Sequence, residues 1–149
     1  MKIEPYLDEP NNELWELLLL ADPSKKRVKN YISESEIFVA LSENRGIGIA
    51  VLSVNADEFE LKNIAVQPSS QGKGIAKALV SVVADRAKEL GAECLLVGTG
   101  NSSLDQLGLY QKCGFRMFAV KHNFFADYDP PIFENGIRCL DLVCLKLEL

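Results

Sequence analysis

The residues of this chain whose types and spacing can do chemistry are Gln71-Gly72-Lys73-Gly74-Ile75-Ala76. An apolar run, Leu61 to Val66, precedes them, and an amphipathic run, Ile75 to Leu90, follows. That order predicts a strand, a turn with little side chain, and a helix whose first N–H groups have no carbonyl partner. Those groups and the positive end of the helix macrodipole suit a phosphate or pyrophosphate. Gly72 and Gly74 let the backbone come close to such a ligand. Spacing excludes two phosphate-ligand classes. A nucleoside-triphosphate loop needs Gly where Gln67 stands and Ser or Thr where Gly74 stands. A dinucleotide fingerprint from Gly72 meets Lys77 where it needs Gly, and one from Gly98 meets Ser103.

The turn resembles the acyl-coenzyme A turn of the GNAT superfamily of N-acetyltransferases: Gln or Arg, two residues, Gly, one residue, Gly or Ala. Gln71, Gly74 and Ala76 match it in register. The resemblance continues through Asn63-Ile64-Ala65-Val66-Gln67-Pro68 and resumes in Leu109-Tyr110-Gln111-Lys112-Cys113-Gly114-Phe115. It implies acetyl-CoA as co-substrate. Backbone groups of Ile64, Ala65 and Val66 would pair with the pantetheine arm, and Gln71, Gly72, Lys73, Gly74, Ile75 and Ala76 would hold the pyrophosphate. A backbone N–H near Ala65 or Val66 would polarise the thioester carbonyl.

Moving an acetyl group from a thioester to an amine requires proton handling at both ends, since an alkylammonium has a pKa of about 10 and a thiol about 8.5. By the same resemblance Tyr110 is the acid for the departing thiolate. The base is open. Similar proteins often carry Glu where Leu96 stands here; Glu60, with Glu58 behind it, is the nearest carboxylate on the preceding strand, and water relay is the alternative. Tyr110 follows Asn101 by nine positions, two more than such proteins commonly keep, so either Asn101 or Ser103 takes the pantetheine contact.

The elements that position these residues can be read from periodicity and caps. Helices are predicted from Asn12 to Leu20, capped by Asn11 or Asn12, and from Ser24 to Ile32. Ile37 to Leu41 and Ile47 to Val54 read as a hairpin, and Phe59 to Val66 as the third strand of the meander. The helix from Ile75 buries Leu79, Val83 and Ala87 and ends at Gly91; Cys94 to Val97 is a strand covered on both faces. Strand, helix and strand form a parallel crossover. Ser103 with Gln106 predicts a capping box, and Leu104, Leu107 and Tyr110 share a face of the helix that follows. A strand from Phe115 to about Lys121, an Asn135-Gly136 hairpin turn and a last strand from Ile137 to Leu147 complete the chain. The expected fold is α/β (α+β): a mixed, mostly antiparallel central sheet with one parallel βαβ crossover forming an acyl-CoA crevice, and helices on both faces.

With 149 residues the chain is expected to form a single domain, 1–149. A net charge of −5 and a pI near 4.9 speak against a nucleic-acid surface and for a cationic amine. The cluster Lys25-Lys26-Arg27 reads as the solvated face of a helix. No segment is long and apolar enough for a membrane span or signal core, and a cytoplasmic location is expected. Four cysteines without two-residue spacing and one histidine point to no metal site. The acceptor is expected to be a small-molecule primary amine, held by Asp127 and Asp129 beside Phe124 and Phe125. A protein N-terminus or lysine as acceptor, and a non-catalytic acyl-CoA-binding module, are the competing readings. A two-fold homodimer is the prior for a domain of this size.

Overall fold

The computed structural model describes residues 1–149. Strand β1 (Lys2–Tyr6) is followed by helices α1 (Asn12–Ala21) and α2 (Lys25–Ile32) and the meander β2 (Ser35–Ser42), β3 (Arg45–Asn55) and β4 (Glu58–Val66). A short 3₁₀ turn (Pro68–Ser70) leads to α3 (Ile75–Glu89) and β5 (Cys94–Gly100), then α4 (Leu104–Lys112) and β6 (Arg116–Lys121). The chain ends with β7 (Phe133–Glu134), β8 (Ile137–Arg138) and β9 (Leu142–Glu148). The seven-stranded sheet runs β1-β2-β3-β4-β5-β9-β6, and β7 with β8 forms a separate ribbon. Only β4 and β5 pair in parallel.

Alternation along β2 and β3 divides the core between the two faces of the sheet. Phe38, Ala40, Ala50 and Leu52 pack with Leu79, Val83 and Ala87 of α3. Ile37, Val39, Ile49 and Val51 pack with Leu14, Leu17 and Leu18 of α1 and Val28 and Ile32 of α2. Local chemistry sets the element ends. Asn11 Oδ1 accepts the Leu14 N–H at 2.9 Å, as its cap predicts, and Ser24 Oγ accepts the Arg27 N–H at 3.3 Å, which makes Ser24 the cap of α2 and starts that helix at Lys25. Gly91, at φ 93°, closes α3: its N–H reaches the Lys88 carbonyl and that of Ala92 the Ala87 carbonyl, both at 3.0 Å. Glu43 and Asn44 both have positive φ, as a two-residue turn between β2 and β3 requires.

The structure corrects three expectations. β1 was not anticipated, because Lys2–Tyr6 has no apolar alternation; it forms by pairing with β2, and Pro5 is tolerated on this edge strand. The strand expected from Ile137 to Leu147 is two pieces, β8 in the small ribbon and β9 inside the main sheet, with a break at 139–141. The capping box at Ser103 is absent, since Ser103 Oγ donates to Glu134 Oε1 at 2.8 Å, a carboxylate that competes better for the hydroxyl than a helix N–H does. In addition Leu104 is exposed, leaving Tyr110 as the buried residue of α4.

Candidate active site

β4 and β5 pair at only two positions, Glu60 with Leu96 and Leu61 with Val97. Beyond these, β4 stays with β3 as far as Val66, while β5 follows β9 along its whole length. The two strands therefore part company, and a cleft opens between them. A bulge in β4, where Val51 faces Asn63 but Leu52 faces Leu61, leaves Lys62 without a partner on β3.

The ladder decides which backbone groups face the cleft. Gln67 N–H donates to the Ile47 carbonyl at 2.8 Å, so Ala65, two residues earlier, also turns its polar groups towards β3. Ile64 and Val66, opposite Ala50 and Gly48, turn theirs the other way. The Val66 carbonyl accepts a hydrogen bond from Gln71 Nε2 at 3.1 Å, tying the motif's first side chain to the strand end. Of the three residues expected to present backbone to a pantetheine arm, the ladder thus favours Ile64 and Val66 over Ala65.

Past Gln71 the chain turns at Gly72, φ 79°, and Gly74, φ 80°. Both need glycine for this reason alone: a Cβ built at either meets no protein atom within 4 Å. Gly74 caps α3 with no side chain closing over the first turn, and the first bond at this end runs from the Ala78 N–H to the Gly74 carbonyl at 3.0 Å. The N–H groups of Ile75, Ala76 and Lys77 thus lie ahead of the first intrahelical bond, with Lys73 and Lys77 exposed beside them. A pyrophosphate fits this end in both charge and hydrogen bonding.

Tyr110 lies in α4 with 4 % of its surface exposed and its ring against Phe115, centroids 5.6 Å apart. Burial pushes its pKa above the ordinary phenol value. The hydroxyl has no protein partner, and it is not sealed in the core: the one fully enclosed, unpartnered side-chain polar atom is Asn63 Oδ1.

On the other side of the split lies a cavity of about 960 Å³, lined by Glu60 and Lys62 of β4, Gly98, Thr99 and Gly100 of β5, the α1–α2 corner and the segment from Lys121 to Glu134. Glu60 lies 3.5 Å from Lys62 Nζ. It also pairs directly with Leu96, so a carboxylate stands one strand over from the position where the resemblance leads one to expect it. Tyr31 contributes a hydroxyl that accepts from Asn63 Nδ2 at 3.1 Å; burial, joined by the nearby Asp22, Tyr128 and Glu60, pushes its pKa up to about 12 against the lowering effect of the Asn63 bond. Gly100 is demanded by close approach, since a Cβ there would lie 2.5 Å from Cys139 Sγ, and Gly98 packs tightly, a Cβ there lying 3.0 Å from the Leu142 side chain.

Asn101 does not extend freely towards the cleft. Its Oδ1 accepts the N–H groups of Leu140 and Asp141 at 2.9 and 3.0 Å, and its Nδ2 donates to the Arg138 carbonyl at 3.1 Å. It holds the break between β8 and β9 in place. Ser103 lines the cavity, its hydroxyl on Glu134.

Of the segment expected to cover the acceptor side, Phe124, Phe125 and Tyr128 line this cavity. Asp127 and Asp129, however, are exposed and line no part of the cavity; Asp22, Glu34, Glu60 and Glu134 are the carboxylates that do. Local clustering of acids in sequence could not reveal that the segment turns its aromatics inward. Sequence reasoning also missed Tyr31 and Arg27. Arg27 had read as part of a solvated face, whereas its guanidinium carbon lies 4.6 Å from the Tyr128 ring centroid and 5.2 Å from that of Phe124.

A strand split beside an uncapped helix N-terminus is the arrangement expected from the resemblance, and comparison with known proteins agrees. Residues 3–115 match the family described as Acetyltransferase (GNAT) family. The chain belongs to this family. It is 49 % identical over 144 residues to the uncharacterized N-acetyltransferase YvbK of Bacillus subtilis, covering 95 % of this chain and 93 % of the relative. A crystal structure of a Bacillus subtilis acetyltransferase in complex with CoA superposes with a TM-score of 0.93 at 49 % identity, covering 99 % of this chain and 98 % of that one. A GNAT family acetyltransferase from Elizabethkingia anophelis with acetyl-CoA bound gives 0.92 at 44 % identity, covering 99 % and 97 %. As a GNAT protein this chain has the family's fold in the form seen above: four helices about a sheet with one parallel pair. No helix in it is long and apolar enough to cross a membrane, and no group of three or more metal-ligating side chains occurs.

Proposed function

We propose that this GNAT protein transfers the acetyl group of acetyl-CoA to a primary amine of a small molecule by direct attack on the thioester. The observation that carries the reading is the split of β4 from β5, with an anion-binding helix end on one side and a carboxylate-lined cavity on the other. Solved relatives that hold CoA and acetyl-CoA support the co-substrate. Acetyl-CoA supplies an acyl group activated as a thioester. Ile75, Ala76 and Lys77 N–H groups bind its pyrophosphate, with Gly72 and Gly74 allowing close approach and Gln71 bracing the turn. Ile64 and Val66 align the pantetheine arm along the free edge of β4, and the Val66 N–H polarises the carbonyl. Ser103, or Asn101 through the 138–141 segment it holds, completes the wall beside the arm.

Glu60 is the proton acceptor for the incoming ammonium, directly or through water. Tyr110, kept protonated by burial, gives its proton to the thiolate. Direct attack is favoured over an acetylated cysteine, because burial pushes the Cys139 thiol, which lines the cavity, above its usual pKa and leaves little thiolate. A cavity of about 960 Å³ suits a small acceptor better than a folded protein surface. We place the reaction in the cytoplasm and leave a two-fold dimer as the expected assembly.

The decisive experiment measures thiol release from acetyl-CoA across polyamines, amino sugars, amino acids and short peptides. Turnover with at least one free small amine is expected. Acetylation of peptide N-termini or lysines without activity on any free amine would replace this reading by a protein acceptor. Tight acetyl-CoA binding with no turnover on the whole panel would replace it by a binding module.

A further inference from the structure

Building on the acetyl-transfer reading, we propose that the acceptor amine also carries a carboxylate, and that Arg27 selects it. The substrate class is then an amino acid or a related amino carboxylate rather than a simple amine.

Arg27 lines the same cavity as Glu60. Its guanidinium sits among three rings, with centroids at 4.6 Å (Tyr128), 5.2 Å (Phe124) and 5.9 Å (Phe125). The rings brace one another edge to face, at 4.9 Å for Phe124 with Phe125 and 5.7 Å for Phe125 with Tyr128. Tyr128 is anchored in turn by its hydroxyl donating to Asp22 Oδ1 at 3.3 Å. The backbone of Arg27 is fixed by the Ser24 cap. This arginine is therefore a built feature, not a surface side chain in free rotation.

What the rings cannot supply is a hydrogen-bond acceptor for the guanidinium edge. Arg45 and Arg86 each meet a carboxylate, at 3.0 and 2.8 Å, and Lys62 meets Glu60 at 3.5 Å. Arg27 enters no such pair, and none of its side-chain N–H groups donates to a protein acceptor. Cation–π contact offsets part of the cost of drawing the charge from water, but it leaves the donors open. A planar fork of N–H groups, held by its faces and open at its edge, matches a carboxylate in shape and charge. The second cation without a carboxylate on this cavity, Lys121, is an exposed and flexible ammonium and lacks that planar geometry.

The same cavity holds the opposite sign in Glu60 and Glu34. A ligand with an ammonium at one end and a carboxylate at the other would meet both signs, its ammonium sharing Glu60 with Lys62 or facing Glu34. A plain amine would leave Arg27 unanswered inside the occupied cavity, at the cost of burying an unpaired charge.

The test compares thiol release from acetyl-CoA with each amino acid, its carboxamide, its decarboxylated amine and the matching aminophosphonate. The wild-type protein should favour the amino acid over the carboxamide and the amine by about tenfold or more in kcat/KM, a ratio worth roughly 1.4 kcal/mol. Arg27→Gln should collapse that ratio towards one through the KM of the amino acid, Arg27→Lys should restore part of it, and Lys26→Gln, at an exposed neighbour, should retain it. Equal use of acid and carboxamide by the wild type would overturn the proposal, as would Arg27→Gln lowering all acceptors alike. Preference for the aminophosphonate would overturn the carboxylate in favour of a tetrahedral anion. If no amine supports turnover, the acetyl-transfer reading fails on its own, and calorimetry on the CoA-saturated protein decides this one. Amino acid bound more tightly than carboxamide, with the difference lost in Arg27→Gln, upholds it; equal or absent binding overturns it.

Discussion

The role proposed for Tyr110 rests on its surroundings. With 4 % exposure and a ring packed on Phe115, it would be ordinary core were its hydroxyl paired; it is not, and burial keeps the proton on it. Tyr110→Phe preserves the packing and removes only the hydroxyl proposed as the acid. We expect kcat to fall by ~10²- to 10⁴-fold, the usual range for a general acid, with acetyl-CoA affinity by calorimetry nearly constant. A drop of less than about threefold would make Tyr110 structural and leave water to protonate the thiolate. The raised pKa also fixes the sign of the pH dependence. The acid form persists beyond the ordinary phenol range, so kcat/KM should rise as the amine loses its proton, with no falling alkaline limb before about pH 10. A profile that turns down near neutrality would point to a different acid.

At the scale of elements, the N-terminus of α3 makes a prediction whose two readouts move in opposite senses. Lys77 is exposed in the first turn of a helix that has no acidic residue there. Lys77→Glu should hold or raise the melting temperature, because an acid favours the positive end of the dipole, yet weaken acetyl-CoA binding severalfold, because it repels the pyrophosphate. Gly74→Glu is a poorer probe: at φ 80° any side chain strains the backbone, so lost affinity would not separate charge from folding. A second element-level contact joins α1 to the β2–β3 turn, where Glu13 accepts the Gly46 N–H at 2.7 Å and Arg45 Nε at 3.0 Å. These bonds, the Gly46 one foremost, lower the Glu13 pKa. A depressed carboxylate pKa stabilises the fold above the unfolded-state value, and that contribution disappears as pH falls through the folded-state value. Glu13→Gln should therefore lower the melting temperature at neutral pH, with the gap from wild type closing in acid below about pH 4.

For the molecule as a whole, the cavity beside the strand split depends on the return of the C-terminal segment over β5. Cys139 lies against Gly100 so closely that a Cβ there would sit 2.5 Å from its sulfur, with Ser103 Oγ at 3.5 Å. Gly100→Ala should destabilise the protein by about 1–3 kcal/mol, the usual cost of overpacking. Cys139→Ala should relieve much of that cost, giving a coupling of about 0.5–3 kcal/mol in a denaturation cycle. Additive losses would show that the two residues do not share this wall.

Much of this protein was legible in its residues in order. The cap at Asn11, the β2–β3 hairpin, Gly91 and the stripe of α3 act within a few positions, so their chemistry places the elements wherever the rest of the chain goes. The turn ahead of α3 was legible for the same reason: Gly72 and Gly74 are local, and a positive φ can only be met by a few residue types. The assignments that needed the tertiary structure are those made by partners distant in sequence. β1 exists because β2 offers it an edge; Ser103 abandons a helix cap for Glu134, thirty-one residues on. Asp127 and Asp129 face water while Phe124, Phe125 and Tyr128 enclose Arg27, about a hundred residues earlier in the chain. Sequence spacing determines what a segment can form on its own; which charge ends up unpaired inside a cavity is decided only when distant segments meet and compete for the same acceptors.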